Sequence, residues 1–398
     1  MNMDAHITAS PSRNVGIDII RTMAVFCVIG VHALPQTVPL SMGTGRESAT
    51  IAMRIVVQFI QMTCQLGVPL FIAITGYLML SRDYSGQNLA RFIKHNFLPL
   101  LFAFEFWNIV TYIVDHYYII SISTLRTAIF SSLFLSDTPM GHMWYLQMIT
   151  GVYLALPLIA SALQKIKESG NNKYLLPFTF LFVIYQSIVP TALQLANLLG
   201  YNTDFQIKYY PAISNFSWIL CPLLIGYASR QGFFKRVPKF ISVLLLLLSL
   251  LLLTADGYCW LMYSTPDKPA LPPFPLNDTF ILFALLAIFI VVENVQWNDV
   301  LPSIVTSSFK AIAKQSFGIY IIHFPIVMFL TVHGWHPTMN NWANCLIYFL
   351  ASFIIAFAAS AILSKIPIVG QWVFLIKNSN KPSFRRPRHA AHAKRERD

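Results

Sequence analysis

The stretch Gly16–Leu34, GIDIIRTMAVFCVIGVHAL, is apolar apart from a few positions, yet it holds Asp18, Arg21 and His32. As a helix it rises about 28 Å, close to the hydrocarbon thickness of a bilayer. At about 100° per residue, the eleven-residue step from Arg21 to His32 returns to within ~20° of the same face, ~16 Å further along the axis, with Asp18 near that stripe. An ionised group at the bilayer centre costs about 2.5 kcal/mol or more, so such a stripe faces a bundle interior or an aqueous cavity, not lipid. Asp18 and Arg21, three residues apart, are placed to neutralise one another. His32 has no local partner in the sequence.

The rest of the chain repeats the apolar part of this pattern. With 56% apolar and 11% charged residues over 398 residues, and a mean hydropathy of +0.59, an ordinary soluble domain is excluded. Apolar runs of about 17 residues or more recur and predict an all-α, polytopic membrane bundle of about ten spans, centred near Phe26, Gly67, Trp107, Val152, Phe182, Ile219, Leu248, Leu285, Ile322 and Phe353. An even count puts both termini on one side. Of the 28 Lys and Arg, all but Arg46, Arg54, Arg126, Lys208, Lys268 and the intramembrane Arg21 then fall on the side of the termini. The positive-inside rule makes that side cytoplasmic.

We therefore expect a cytoplasmic segment over 1–15, one membrane domain over 16–370 and a basic cytoplasmic tail over 371–398. The +12 net charge is mostly topological, and the tail, with Arg385, Arg386, Arg388, Lys394, Arg395 and Arg397, fits anionic headgroups better than nucleic acid. Asp18 and Arg21 argue against reading the first span as a cleavable signal core. No internal repeat is visible, and the cysteines, Cys27, Cys64, Cys221, Cys259 and Cys345, lack metal-ligand spacing, so no metal and no permanently bound cofactor is expected.

Four separated segments carry the chemistry: Asp18 to Arg21 with Gly30-Val31-His32; Val68-Pro69-Leu70-Phe71 with Thr75-Gly76-Tyr77-Leu78; His142-Met143-Trp144-Tyr145-Leu146; and Ser316-Phe317-Gly318-Ile319-Tyr320 with His323. In this order and spacing the chain resembles acyltransferase family 3 membrane proteins, nearest the branch of the enterobacterial common antigen O-acetyltransferase. Thr75-Gly76-Tyr77 stands where Ser-Gly-Phe is frequent in that family. The resemblance implies a bacterial inner-membrane enzyme, cytoplasmic acetyl-CoA as donor substrate, a hydroxyl of a cell-surface or lipid-linked glycan as acceptor, and a functional Arg and His in span one.

The residues also speak for themselves. Moving an acyl group from a thioester to an alcohol needs a base or a nucleophile, and His32 serves either role near neutral pH. Arg21, nearer the cytoplasmic end, suits a phosphate or pantetheine arm, with Asp18 orienting it. Arg91 and Lys94 form a basic collar in the first cytoplasmic loop, which topology alone also explains. Gly76 permits close approach of ligand or helix, and Tyr77 offers a hydroxyl. His142, Trp144 and Tyr145 open span four on the external side, where rings stack on sugars but also supply the aromatic belt. Tyr320 and His323 share one face of span nine, and Glu105 is an intramembrane carboxylate able to orient a histidine or bond a neighbouring helix. Asp115, His116, Asp278 and Glu293 lie near helix ends, where solvation suffices. The same polar set also fits a secondary transporter or an exporter component of polysaccharide assembly, with Asp18, Arg21, His32 and Glu105 as a proton or substrate path.

Overall fold

The computed structural model describes residues 14–116, 122–138, 140–170, 181–201, 214–263, 278–336 and 340–376. Every regular element among them is helical, which makes the fold all-α. Eight helical stretches are long and apolar enough to cross a membrane: Val15–Thr37, Ile51–Met79, Gln87–Ile113, Gly141–Glu168, Leu181–Leu198, Lys239–Tyr263, Ser303–Val332 and Asn341–Leu363. The shorter apolar helices Ile219–Arg230 and Thr279–Asn294 supply the other two expected centres. The chain is a multi-pass membrane protein.

In chain order the helices are α1 (Val15–Thr37), α2 (Ile51–Cys64), α3 (Gly67–Met79), α4 (Gln87–Phe92), α5 (Leu98–His116), α6 (Ile122–Ser132), α7 (Trp144–Glu168), α8 (Val189–Leu198), α9 (Ser214–Arg230), α10 (Lys239–Tyr263), α11 (Thr279–Asn294), α12 (Trp297–Val300), α13 (Ser303–Val332) and α14 (Asn341–Leu363). Short polar caps start several of them. Asn14 accepts from the Gly16 N–H at 2.9 Å, Thr50 from Met53 at 3.2 Å and Asn340 from Trp342 at 2.9 Å, each filling a donor that the first helical turn leaves open. Asp278 caps α11 in the same way, accepting from Phe280 at 2.6 Å, which accounts for a carboxylate near a membrane helix end.

Helix α1 is the innermost, packing against α2, α3, α11, α13 and α14. Glycines set the closest contacts around it. A Cβ on Gly76 of α3 would lie 2.1 Å from the Leu223 carbonyl oxygen of α9, and one on Gly226 of α9 would lie 1.8 Å from the Ala73 carbonyl oxygen of α3. The two backbones therefore touch, as small residues allow in membrane bundles. Gly76 is thus a packing residue: its missing side chain is what lets α3 and α9 meet.

Packing also continues past α14. Residues 369–373 form a short π-helical turn packed on α5, Trp107 donates from Nε1 to the Val373 carbonyl at 3.1 Å, and Val373, Phe374 and Ile376 are buried. The first residues of the expected tail, up to Ile376, thus pack on the bundle, where the apolar run has a hydrophobic surface to cover. Residues 1–13 and the basic part of the tail lie outside the described residues, as do Lys208, Lys268 and the side chains of Asp115 and His116.

The glycine contact generates a stability prediction. Gly76→Ala and Gly226→Ala drive a methyl into fixed backbone and should each destabilise the detergent-solubilised protein by about 1–3 kcal/mol. Gly151→Ala, which meets nothing within 4 Å, should leave it unchanged or slightly steadier. Thermal unfolding of the three variants checks this, and equal melting temperatures would sink the close-contact argument.

Candidate functional site

A cavity of about 800 Å³ opens among α1, α3, α7, α9, α13 and the segment 374–376. One face of each helix builds it. Helix α1 and its cap contribute Asn14, Ile17, Asp18 and Arg21, spaced by three and four residues, and α13 contributes Ala313, Lys314, Ser316, Phe317 and Tyr320 on a similar stripe. Thr75 and Tyr77 come from α3, Tyr145 and Tyr153 from α7, and Arg230 from the end of α9. Phe374, Leu375 and Ile376 close one side, with Leu375 in the left-handed backbone region at φ 55°. Asn14, Asp18 and Arg21 lie at the start of α1, with Tyr77 near the end of α3 and Arg230 at the end of α9 beside them, so the mouth of the cavity lies on the side of the N-terminus.

Three cations line it: Arg21, Arg230 and Lys314. Arg230 lies over the Tyr77 ring at 5.2 Å and donates to its hydroxyl at 3.4 Å, while the Asn14 side-chain amide donates to the same hydroxyl at 3.0 Å. Tyr77 thereby ties the cap of α1 to the end of α9. The close α3–α9 contact at Gly76 makes that possible.

At the inner end the cavity stops on two tyrosines whose rings are 5.2 Å apart, Tyr145 and Tyr320. Beyond them lies a cluster of three histidines. The Tyr320 ring is 5.7 Å from His142 and 6.0 Å from His323, and its hydroxyl donates to the His142 carbonyl. His323 is 5.4 Å from His32 and 5.8 Å from His142. Phe324 stacks on His142 at 4.5 Å and meets His32 edge-on at 4.8 Å.

The local cause is legible in α13. Pro325 lies inside that helix and has no N–H, so the carbonyl of Ile321, four residues earlier, loses its helical donor. His142 Nε2 approaches that carbonyl at 3.2 Å. A buried unpaired carbonyl costs about 1–3 kcal/mol, and the short 3-10 turn Gly141–Met143 brings His142 inward to satisfy it. His142 is accordingly 2% exposed, its ring turned into the bundle from the start of span four. Trp144, two residues on, does turn outward and is exposed.

The sequence-selected residues thus divide. Asp18, Arg21, Tyr77, Tyr145 and Tyr320 line the cavity; His32, His142 and His323 form the cluster behind it, with Tyr145 and Tyr320 between. Arg21 and His32 share a stripe of α1, but Arg21 lines the cavity and His32 does not. Arg91 and Lys94 are exposed on α4 and the π turn after it, and Glu105 is half-buried on α5; none of the three lines the cavity. Asn14, Tyr153, Arg230 and Lys314 were missed. Lys314 lies two residues before the Ser316 motif, and its place on the Ser316–Tyr320 side of α13 was the available signal. Arg230 was absorbed into the topological count. Among the described residues no group of three or more His, Cys, Asp or Glu side chains fits a metal ion.

A family model described as an acyltransferase domain matches residues 14–363. Neither a curated protein nor a solved structure matches the chain.

The lining of the cavity, which includes Arg230 and Lys314 but not His32, predicts thiol accessibility. With the five native cysteines, all buried or half-buried, replaced, Lys314→Cys and Arg230→Cys should react with a membrane-impermeant maleimide added on the side of the termini. His32→Cys should resist it. Labelling of His32→Cys at the rate of Lys314→Cys would show that the cavity reaches past the tyrosines to His32.

Proposed function

We infer the activity from the family: the chain belongs to the acyltransferase family whose domain it matches over residues 14–363, and it is a membrane acyltransferase. We propose that it is an O-acetyltransferase of the branch nearest the enterobacterial common antigen enzyme. On this reading it lies in a bacterial inner membrane with both termini cytoplasmic. It moves an acetyl group from cytoplasmic acetyl-CoA to a hydroxyl of a lipid-linked or exported glycan.

The observation that carries this reading is the cationic cavity set against a histidine cluster, with Tyr145 and Tyr320 between. Arg21, Arg230 and Lys314 suit the phosphates of a coenzyme A donor, since guanidinium groups bind phosphate oxygens bidentately and an ammonium adds a point charge. The acyl-pantetheine arm then extends between the tyrosines. His32 is the base. Among the described residues no hydrogen bond holds its ring, so either nitrogen is free to take a proton, whereas His142 and His323 are each held by a carbonyl.

The chemistry balances without a further reagent. His32 removes the proton of the glycan hydroxyl as its oxygen attacks the thioester carbonyl. The new C–O bond forms, the C–S bond breaks, and the departing thiolate takes the proton back from the imidazolium. The products are an acetyl ester and the free thiol of coenzyme A. On this reading the Tyr145 hydroxyl donates to the charge that develops on the carbonyl oxygen, while the Tyr320 proton stays committed to the His142 carbonyl.

Transfer of radiolabelled acetyl from acetyl-CoA into a membrane glycan fraction tests the reading. His32→Ala at matched expression should lose about 100-fold or more in kcat, the usual size of a general-base contribution. Arg21→Ala should raise KM for the donor about tenfold or more. Full activity in His32→Ala removes that residue from the chemistry, and flux of a solute without any covalent product would favour transport instead.

A further inference from the structure

The two histidines held by backbone carbonyls differ from His32 in a way that specifies what binds beside them. A carbonyl oxygen only accepts, so a ring nitrogen that approaches one carries the hydrogen. His142 approaches the Ile321 carbonyl through Nε2 at 3.2 Å, and His323 approaches the Ile319 carbonyl through Nδ1 at 3.1 Å. A neutral imidazole has one N–H, so the remaining nitrogens, His142 Nδ1 and His323 Nε2, present lone pairs. Both are buried without a partner, on side chains 2% and 0% exposed. A buried acceptor of this kind calls for a donor.

We propose that His142 Nδ1 and His323 Nε2 form an acceptor-only subsite that takes two hydroxyl protons of one polyhydroxylated acceptor, selecting a neutral polyol over an anion. The inference rests on the acyl-transfer reading and deepens it by naming the acceptor's chemical class. The His142 and His323 rings are 5.8 Å apart and His323 is 5.4 Å from His32, so both acceptors belong to the cluster that holds the base. Phosphate or carboxylate oxygens meet lone pairs there and are turned away. Phe324, stacked on His142, and Pro325, which frees the Ile321 carbonyl, are positioning residues: they fix the rings and touch no substrate.

The test uses the full-length protein in lipid bilayers with ring-15N histidine, His142→Asn and His323→Gln serving to assign signals, and an alkyl glucoside with free hydroxyls as probe. The expected spectrum has His142 protonated on Nε2 alone and His323 on Nδ1 alone. Adding the glucoside should shift the two unprotonated nitrogens, and its fully O-methylated analogue should not. Pro325→Ala should alter the His142 signals and spare those of His323. In parallel, His142→Asn and His323→Gln, which place an amide oxygen where the lone pair was, should transfer acetyl to the glucoside within about tenfold of native. His142→Leu and His323→Leu should raise the acceptor KM about ten- to hundredfold. The reverse tautomers, or nitrogens indifferent to the hydroxylated probe, overturn the subsite. Nitrogens that respond to the glucoside in a protein that acetylates nothing uphold the subsite and overturn the acyl-transfer reading.

Discussion

Charge inside a membrane is the constraint from which the rest of this structure follows. Helix α1 carries Asp18 and Arg21 in its first two turns and His32 two turns before its end, and lipid solvates none of them. The helix must therefore be enclosed, and five other membrane helices pack around it. Enclosure at close range needs small residues at the contacts: a Cβ on Gly67 of α3 would fall 3.2 Å from the Ala24 carbonyl oxygen, and one on Gly30 of α1 would fall 2.5 Å from the Cys64 sulfur. The same economy joins α3 to α9 through Gly76 and Gly226 and carries Arg230 over the Tyr77 ring. Polar stripe, glycine contacts and cationic mouth form one chain of cause.

A second chain of cause starts from a missing atom. Pro325 lacks the N–H that an α-helix needs at that point, so α13 carries an unpaired carbonyl at membrane depth, where water is scarce. The turn at 141–143 supplies His142 as the donor, and Tyr320 answers by donating to the His142 backbone. Two reciprocal bonds dock the start of α7 onto the middle of α13. Packing adds Tyr145 against Tyr320 and Phe71, so a helix that would otherwise begin at the membrane surface is anchored by its first residues inside the bundle.

How much of this the sequence discloses depends on the range of the interaction. Hydropathy is local, and each of the ten expected spans holds a helix. The buried stripe of α1 is also local, a matter of 3.6-residue periodicity, and its inward orientation follows from charge alone. His142 shows where local reading ends. Beside Trp144 and Tyr145 it looks like part of an aromatic belt, and only the partnership with Ile321, 179 residues away, draws it inside. Arg230 and Lys314 were hidden for a different reason: a basic residue at the end of a span already has a topological explanation, so its second role as cavity lining leaves no separate mark. Gly76 was ambiguous because ligand approach and helix approach make the same demand on a residue, the absence of Cβ.

The separation of Arg21 from His32 is the least legible feature and carries the most physics. The two lie on one stripe, yet side chains from α7 and α13 partition the space alongside it into a cationic cavity and a histidine cluster. An undivided polar shaft through the bundle would admit water to a thioester and protons across the membrane. A pair of tyrosines is a partition of a particular kind: two apolar ring faces, one hydroxyl (Tyr320) tied to the His142 backbone and the other (Tyr145) a donor at the cavity's inner end. Dryness strengthens every electrostatic interaction on the far side, including those of a base acting on a hydroxyl. If a donor with several negative charges is held by Arg21, Arg230 and Lys314, the charge stays in the wetter chamber and only the neutral acyl end passes the tyrosines. On the proposed reading, the tyrosine partition is what would let a charged donor and a neutral acceptor meet without either crossing the membrane.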